Sequence, residues 1–75
     1  MKHKHAQTGY LARKFGGVSL PLQVLPSPVG YYLGTLDRDG APYSQESEEY
    51  WKSREESEAA LNDPCPLAWT QRLWP

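Results

Sequence analysis

The chain has 75 residues, of which 39% are hydrophobic and 23% are charged, and its formal net charge is −1 at pH 7. A chain of this length forms one small domain, since it buries only roughly 60% of the surface that its unfolded form exposes. The single cysteine excludes an intramolecular disulfide, and no apolar run reaches the length of a membrane-spanning helix, so we expect a cytoplasmic protein with a thin core.

The first eight residues, MKHKHAQT, are basic and almost devoid of apolar side chains. We expect a disordered tail over residues 1–8, because such a segment cannot bury enough surface to order itself. The terminal amine, the first backbone amides and His3 have the spacing of a square-planar Cu(II) or Ni(II) site. Since such a terminus arises easily by chance, we expect no physiological metal, and we interpret His3 and His5 as polar tail residues.

The segment GYLARK at 9–14 is compatible with either a short strand or a helical turn, and its pattern does not decide between them. Apolar residues then alternate with polar ones over 18–25, which predicts a strand with one buried face. Pro21 lacks a backbone donor, so this strand is expected at a sheet edge. The following Pro26-Ser27-Pro28 is expected to form a stiff connector.

A β-hairpin is predicted next. Side chains alternate between two faces over 29–36, and Asp37-Arg38-Asp39-Gly40 has the composition of a hairpin turn closed by a glycine bulge. The return strand is expected at about 43–51, and it is polar until its end. We therefore expect an exposed edge, with solvated glutamates and with pairing concentrated near Tyr50 and Trp51.

A short helix is predicted after the hairpin, because Ser53-Arg54-Glu55-Glu56 has the capping-box pattern. Asn62-Asp63-Pro64 ends this helix, and Ser57, Ala60 and Leu61 form its expected buried stripe.

The segment from Cys65 onward contains large apolar side chains but has no clear period. We expect Trp69 to join the core, whereas Trp74 fits an exposed position or a subunit contact equally well. The predicted architecture is α+β in a single domain at 9–75. It has a small antiparallel sheet of about three strands, one short helix after the hairpin, and a C-terminal segment packed over the sheet.

The sequence offers little for catalysis. Its histidines lie in the tail, Cys65 has no basic residue beside it, and Asp37 and Asp39 fit turn capping. The Gly16-Gly17 pair lacks the remaining residues of a phosphate-binding loop. We therefore expect a protein that is not an enzyme and that uses no cofactor and no metal.

Association with another protein is the predicted function. A thin core, an edge strand and an excess of aromatic residues predict an apolar patch that a second surface covers, and a symmetric dimer is the commonest such arrangement. The expected interface residues are Leu20, Leu22, Tyr32, Tyr50, Trp51, Trp69 and Trp74. An additional acidic face for a basic target would comprise Glu46, Glu48, Glu49, Glu55 and Glu58.

The alternative is a small nucleic-acid-binding regulator, which would use the basic N-terminal segment and aromatic side chains that stack on bases. Tyr10, Phe15, Tyr31 and Tyr32 lie near basic residues in the sequence. A sequence pI of about 6.0 and an acidic second half favour protein binding instead.

One resemblance extends over residues 29–72. It rests on Gly30-Tyr31-Tyr32-Leu33-Gly34-Thr35, the Asp-Gly turn, Pro42-Tyr43-Ser44, Glu46-Ser47, Ala59-Ala60-Leu61 and Trp69-Thr70-Gln71-Arg72. This pattern resembles small uncharacterised bacterial proteins carried by mobile elements such as plasmids, phages and integron gene cassettes. The resemblance implies an accessory role in adaptation, in regulation or in inhibition of a host defence, and it implies no catalytic residue.

Overall fold

The structure is a computed structural model that describes residues 7–75. The predicted metal-binding terminus, His3 and His5 lie outside the described residues. The elements in chain order are α1 (Tyr10–Gly16), β1 (Gln23–Ser27), β2 (Gly30–Leu36), β3 (Pro42–Gln45) and α2 (Arg54–Asn62). The strands form one antiparallel sheet in the order β1-β2-β3. This arrangement confirms the predicted α+β class, and it adds α1 to the single helix that was expected.

The hairpin between β1 and β2 has a two-residue turn, because Ser27 pairs directly with Gly30. The Ser27 hydroxyl donates to the Gly30 carbonyl at 2.7 Å and accepts from the Val29 amide at 3.3 Å. Gly30 has a φ of 144°, and an added Cβ would lie 2.7 Å from the Trp51 carbonyl oxygen. Glycine therefore permits both the backbone angle and the close approach of Trp51.

The hairpin between β2 and β3 has the predicted turn. The Asp37 carboxylate accepts from the amides of Asp39 and Ala41, both at 2.9 Å. Gly40 has a φ of 84°, and the pairing register shifts just before Leu36. These contacts confirm the predicted turn composition, since aspartate bonds locally and glycine accepts the positive φ.

The first strand differs from its prediction in position. It spans Gln23–Ser27 rather than 18–25, and residues 26–27 belong to it rather than to a connector. Pro21 instead forms an isolated bridge with Thr8. Because β1 is at the edge of the sheet, Pro26 is tolerated there without a backbone donor. Gln7 and Thr8 are thus paired with the segment just before β1, although both were expected to belong to a disordered tail.

The return strand is shorter than predicted. β3 ends at Gln45, and Glu46 and Ser47 then turn inward, where their amides both donate to the Leu33 carbonyl. The predicted pairing near the end of this segment is present, because Trp51 and Tyr31 exchange two backbone hydrogen bonds of 2.8 Å. The expectation that Glu46 is solvated is wrong, since its exposed fraction is 0%.

Helix α2 follows the prediction closely. The Ser53 hydroxyl accepts from the Glu56 amide at 3.1 Å and caps the helix. Ser57 and Ala60 are buried and Leu61 is half-buried, as the predicted stripe requires.

The core lies between the sheet and α2, and its centre is Leu22, Val24 and Leu33. Partly buried apolar side chains pack around it, namely Tyr31, Trp51, Leu61 and Trp69. Trp69, in the C-terminal segment, thus packs against the core as predicted. In the described part of the chain, no helix is both long enough and apolar enough to cross a membrane.

Candidate functional site

Helix α1 receives its N-terminal cap from a distant residue. Its N-cap position is Gly9, which has no side chain to offer. The Glu46 carboxylate accepts from the Leu11 amide, at 2.9 Å to Oε1 and 3.1 Å to Oε2, and from the Ala12 amide at 3.2 Å. A negative charge at this end is also favourable for the helix dipole. Glu46 therefore anchors α1 beside β3.

Two further side chains complete this buried cluster. The Ser44 hydroxyl donates to Glu46 Oε2 at 2.6 Å, and the Gln71 amide group donates to Glu46 Oε1 at 2.7 Å. The Glu46 carbonyl also accepts from the Arg72 amide at 2.7 Å. One residue thus connects α1, β3 and the C-terminal segment.

Gly9 is required for this geometry. An ideal Cβ at Gly9 would lie 2.5 Å from Glu46 Oε2 and 2.6 Å from the Thr35 methyl carbon. Since real side chains do not approach so closely, the carboxylate reaches the helix only because residue 9 is glycine.

Burial and hydrogen bonding act in opposite directions on Glu46. Desolvation, the largest single influence, raises its pKa, but the donors from Leu11, Ser44, Gln71 and Ala12 together lower the pKa below its ordinary value of 4.5. The carboxylate therefore remains charged at neutral pH, and its role in the cluster is to accept hydrogen bonds.

The lowered pKa predicts a specific pH dependence of stability. Because Glu46 binds its proton less readily in the folded state, its contribution is fully present above about pH 4.5 and is lost as the pH falls through the lower folded-state pKa. We expect the free energy of unfolding to decline on acidification below that value. The decline should be shallower in Glu46→Gln, as measured by urea unfolding between pH 2.5 and 7. Equal slopes for both proteins would contradict this assignment.

A groove of about 370 Å³ lies above the cluster, between α1, β3 and the C-terminal segment. Leu11 and Ala12 contribute its buried part. Two aromatic side chains that line it are substantially exposed, Phe15 at 46% and Tyr43 at 45%, and Trp74, which is 71% exposed, packs against Phe15. We call these three residues, which come from three separate segments, the aromatic rim.

The aromatic rim is accompanied by positive charge. Arg72 lines the groove, and Arg13 and Lys14 are exposed on α1. The Lys14 ammonium lies 5.9 Å from the centre of the Phe15 ring and 5.8 Å from that of Tyr10. These distances are within the range of cation–π attraction. The ring centres of Phe15 and Trp74 are 5.9 Å apart, which is typical of a packed aromatic pair.

The seven predicted interface residues do not form one accessible surface. Leu22 and Tyr32 are buried in the protein itself, with exposed fractions of 9% and 8%, and are not available to a partner in this conformation. Burial, together with the nearby Tyr50, also raises the pKa of Tyr32. A half-buried group comprises Leu20, Trp51 and Trp69.

The exposed members of that set are Tyr50 and Trp74. The ring of Tyr50 packs edge-on against Tyr32, with centres 5.9 Å apart, whereas Trp74 borders the groove through Phe15. Sequence reasoning named Phe15 only as a candidate for base stacking and missed Tyr43, because nothing in the local pattern indicates that these two residues line one groove.

The predicted acidic face is incomplete, since Glu46 is buried and bonded within the protein. Glu49 accepts from the Thr70 amide at 2.9 Å. The remaining members are exposed, and they are Glu48, Glu55 and Glu58. Glu58 forms a surface ion pair with Arg54 at 3.8 Å.

The aromatic groups proposed for base stacking are also divided. Tyr32 is buried, and the Arg54 guanidinium covers Tyr31 at 5.3 Å from its ring centre. Phe15 alone of the four is exposed. Cys65 is an exposed free thiol, and within residues 7–75 no three His, Cys, Asp or Glu residues are grouped to hold a metal ion.

Comparison of the chain with protein family models, with curated protein sequences and with solved structures gave no match.

Proposed function

We propose that the protein acts by binding another protein through the groove and its aromatic rim. The observation that carries this proposal is that two exposed aromatic side chains, Phe15 of α1 and Tyr43 of β3, line one concave surface, while the exposed Trp74 packs against Phe15. Large aromatic residues that enter a partner's surface supply much of the binding energy at protein interfaces.

The position of the groove above a fully bonded cluster supports the same proposal. Glu46 fixes α1 relative to β3 through hydrogen bonds of 2.9 to 3.2 Å. Because this wall of the groove is set by the fold, a partner spends less free energy on ordering it. More of the binding free energy that the aromatic rim supplies is therefore available as affinity.

A selection experiment tests the proposal. Random dodecapeptides displayed on phage are selected on the wild-type chain, and enriched peptides are synthesised and titrated. We expect Phe15→Ser/Trp74→Ser to bind them at least about tenfold more weakly, since loss of an aromatic anchor commonly costs that much. The control is Val29→Ser/Leu67→Ser, which replaces two other exposed apolar residues that do not line the groove. Equal loss in both variants, or no enrichment, would contradict the proposal.

Self-association is part of this proposal, with a symmetric dimer as the expected form. Its test is the solution mass over a dilution series, in which a dimer dissociates. We extend the proposal to an accessory role of the kind found in mobile elements, on the sequence resemblance over residues 29–72 alone.

Nucleic-acid binding is the second candidate function, and the positive charge of Arg13, Lys14 and Arg72 near exposed aromatics favours it. If the protein binds phosphate, its retention on a heparin column should fall steeply as the salt concentration rises. Retention that is independent of salt would exclude this candidate.

A further inference from the structure

One buried residue joins the three segments that form the groove. Glu46 directly follows β3, its carboxylate accepts from the Leu11 and Ala12 amides of α1, and its carbonyl accepts from the Arg72 amide of the C-terminal segment. Leu11, Ala12 and Arg72 are themselves groove-lining residues. The walls of the groove therefore meet at Glu46.

We propose that the negative charge of Glu46 keeps the groove assembled, and that protonation of Glu46 releases α1 while the sheet and α2 stay folded. This inference rests on the proposed function in one respect, namely that the groove is the site that it regulates. A partner then binds only while Glu46 is ionised. The device is the local opening of one element, which differs from a general loss of stability in acid.

Helix α1 depends on this carboxylate because the helix cannot satisfy its own first amides. Its seven residues are too few for a stable isolated helix, and its N-cap residue Gly9 has no side chain. The first intrahelical bond joins the Arg13 amide to the Gly9 carbonyl at 3.2 Å. The Leu11 and Ala12 amides precede it, so Glu46 supplies their acceptor.

Protonation weakens the link between Glu46 and α1 in two ways. It removes the charge, and hydrogen bonds to an ionised acceptor are roughly twice as strong as those to a neutral one. It also adds a hydrogen among groups that already donate, namely the two α1 amides, the Ser44 hydroxyl and the Gln71 amide group. Backbone amides cannot accept this hydrogen, so the protonated group binds α1 less tightly.

The rest of the fold does not depend on the Glu46 carboxylate. Helix α1 lies against β3, whereas α2 packs against β1 and β2 and covers the core of Leu22, Val24 and Leu33. The partly buried apolar residues around this core lie outside α1. The Glu46 amide donates to the Leu33 carbonyl at 2.8 Å through the backbone, whatever the charge of the side chain. Release of α1 therefore opens the groove without exposing this core.

Few ionisable groups on the elements around Glu46 change charge in acid. Those on α1, β3 and the C-terminal segment within residues 7–75 are Tyr10, Arg13, Lys14, Tyr43 and Arg72. Between pH 2.5 and 6, tyrosine stays neutral and lysine and arginine stay charged. The neighbouring acids are Glu48, which is exposed, and Glu49, which accepts from the Thr70 amide rather than from α1. The proton that releases α1 is therefore assigned to Glu46.

Amide hydrogen exchange, followed by nuclear magnetic resonance between pH 6 and 2.5, tests the inference on the chain alone. Protection of the Leu11 and Ala12 amides is compared with that of the Tyr31 and Trp51 amides, which bond to each other's carbonyls at 2.8 Å beside the core. As the pH falls through the pKa of Glu46, which lies below 4.5, the α1 amides should lose at least about tenfold in protection relative to this reference pair. The chemical shift of the Glu46 carboxyl should change over the same pH range.

Two variants assign the effect to one carboxylate. In Glu46→Gln, protection of the α1 amides should follow that of the reference pair throughout, because no carboxyl remains to titrate. In Glu49→Gln, the wild-type pH dependence should persist, since Glu49 accepts from the Thr70 amide. Wild-type pH dependence in Glu46→Gln would overturn the inference. If Glu46→Gln does not fold, the wild-type chain decides, and titration of the Glu46 carboxyl at a different pH from the loss of protection would overturn it.

The remaining outcomes separate this inference from the proposed function. Equal loss of protection in α1 and in the reference pair would show global unfolding and overturn the inference, and so would unchanged protection down to pH 2.5. Neither result affects protein binding, because the peptide selection tests that function without acidification. Conversely, a failed peptide selection together with local opening of α1 would overturn protein binding and leave the effect of Glu46 on the groove in place.

Discussion

Replacement of Glu46 with alanine is expected to lower the free energy of unfolding by about 4 kcal/mol at pH 7. The substitution leaves the buried amides of Leu11 and Ala12 without their acceptor and also removes one of the three acceptors of the Gln71 amide group. Each buried donor that loses a charged acceptor costs roughly 1 to 3 kcal/mol. A chain of this size has a total stability of roughly 4 to 11 kcal/mol, so the variant should be partly unfolded at 37 °C.

Two variants make this prediction specific to the carboxylate. Glu46→Gln keeps one acceptor oxygen but turns a donor toward the same groups, and we expect a loss of about 2 kcal/mol. Glu48→Ala removes a nearby exposed glutamate, whose effect should be within about 0.5 kcal/mol. Urea unfolding followed by tryptophan fluorescence measures all three. Similar stabilities of Glu46→Ala and Glu48→Ala would show that the cluster contributes no net stability.

Local features explain why the hairpin between β2 and β3 and helix α2 are predictable from the sequence. The Asp37 side chain bonds to amides two and four residues ahead, and Ser53 caps a helix that begins at the next residue. The information for each element is contained in a few consecutive residues. The local sequence is therefore sufficient to locate the turn and the helix.

Helix α1, in contrast, is not determined by a few consecutive residues. Its seven residues are too few to be stable alone, it has no capping side chain at Gly9, and its carboxylate acceptor is 35 residues away from Leu11. Glutamate in a polar stretch is ordinarily solvated, so the pattern around Glu46 gives no sign of burial. A contact between distant residues replaces the local signal, and for this reason the sequence left a strand and a helical turn both open at 9–14 and gave no sign of the buried charge.

The candidate site was only partly predictable for the same physical reason. Trp74 was expected either in the solvent or at an interface, and it is exposed. Phe15, against which it packs, and Tyr43, which lines the groove with Phe15, come from segments that meet only after α1 is fixed against β3. Leu22 and Tyr32 were assigned to an interface because a chain of this length was expected to have more apolar side chains than it can bury. The fold instead uses these two residues for its own interior.

Leu33 is a purely interior side chain. Leu33 has an exposed fraction of 0% and lies at the centre of the core with Leu22 and Val24. Leu33→Ala is expected to lower the free energy of unfolding by about 3 kcal/mol, because it removes buried apolar surface and leaves a cavity. The control is Leu67→Ala, an equal truncation at a side chain that is 89% exposed, which should change stability by less than about 0.5 kcal/mol.

Protein concentration decides whether this core is complete within one copy. If association stabilises the fold, the urea midpoint of the wild-type chain rises with concentration, and it should rise also in Leu33→Ala. If one copy suffices, the midpoints at 1 and 100 μM are equal, while the difference between Leu33→Ala and Leu67→Ala persists. The proposed symmetric dimer would give the first result, but the difference between Leu33→Ala and Leu67→Ala is expected in either case, since Leu33 is already enclosed within one copy. Equal stabilities of Leu33→Ala and Leu67→Ala would contradict the assignment of Leu33 to the centre of the fold.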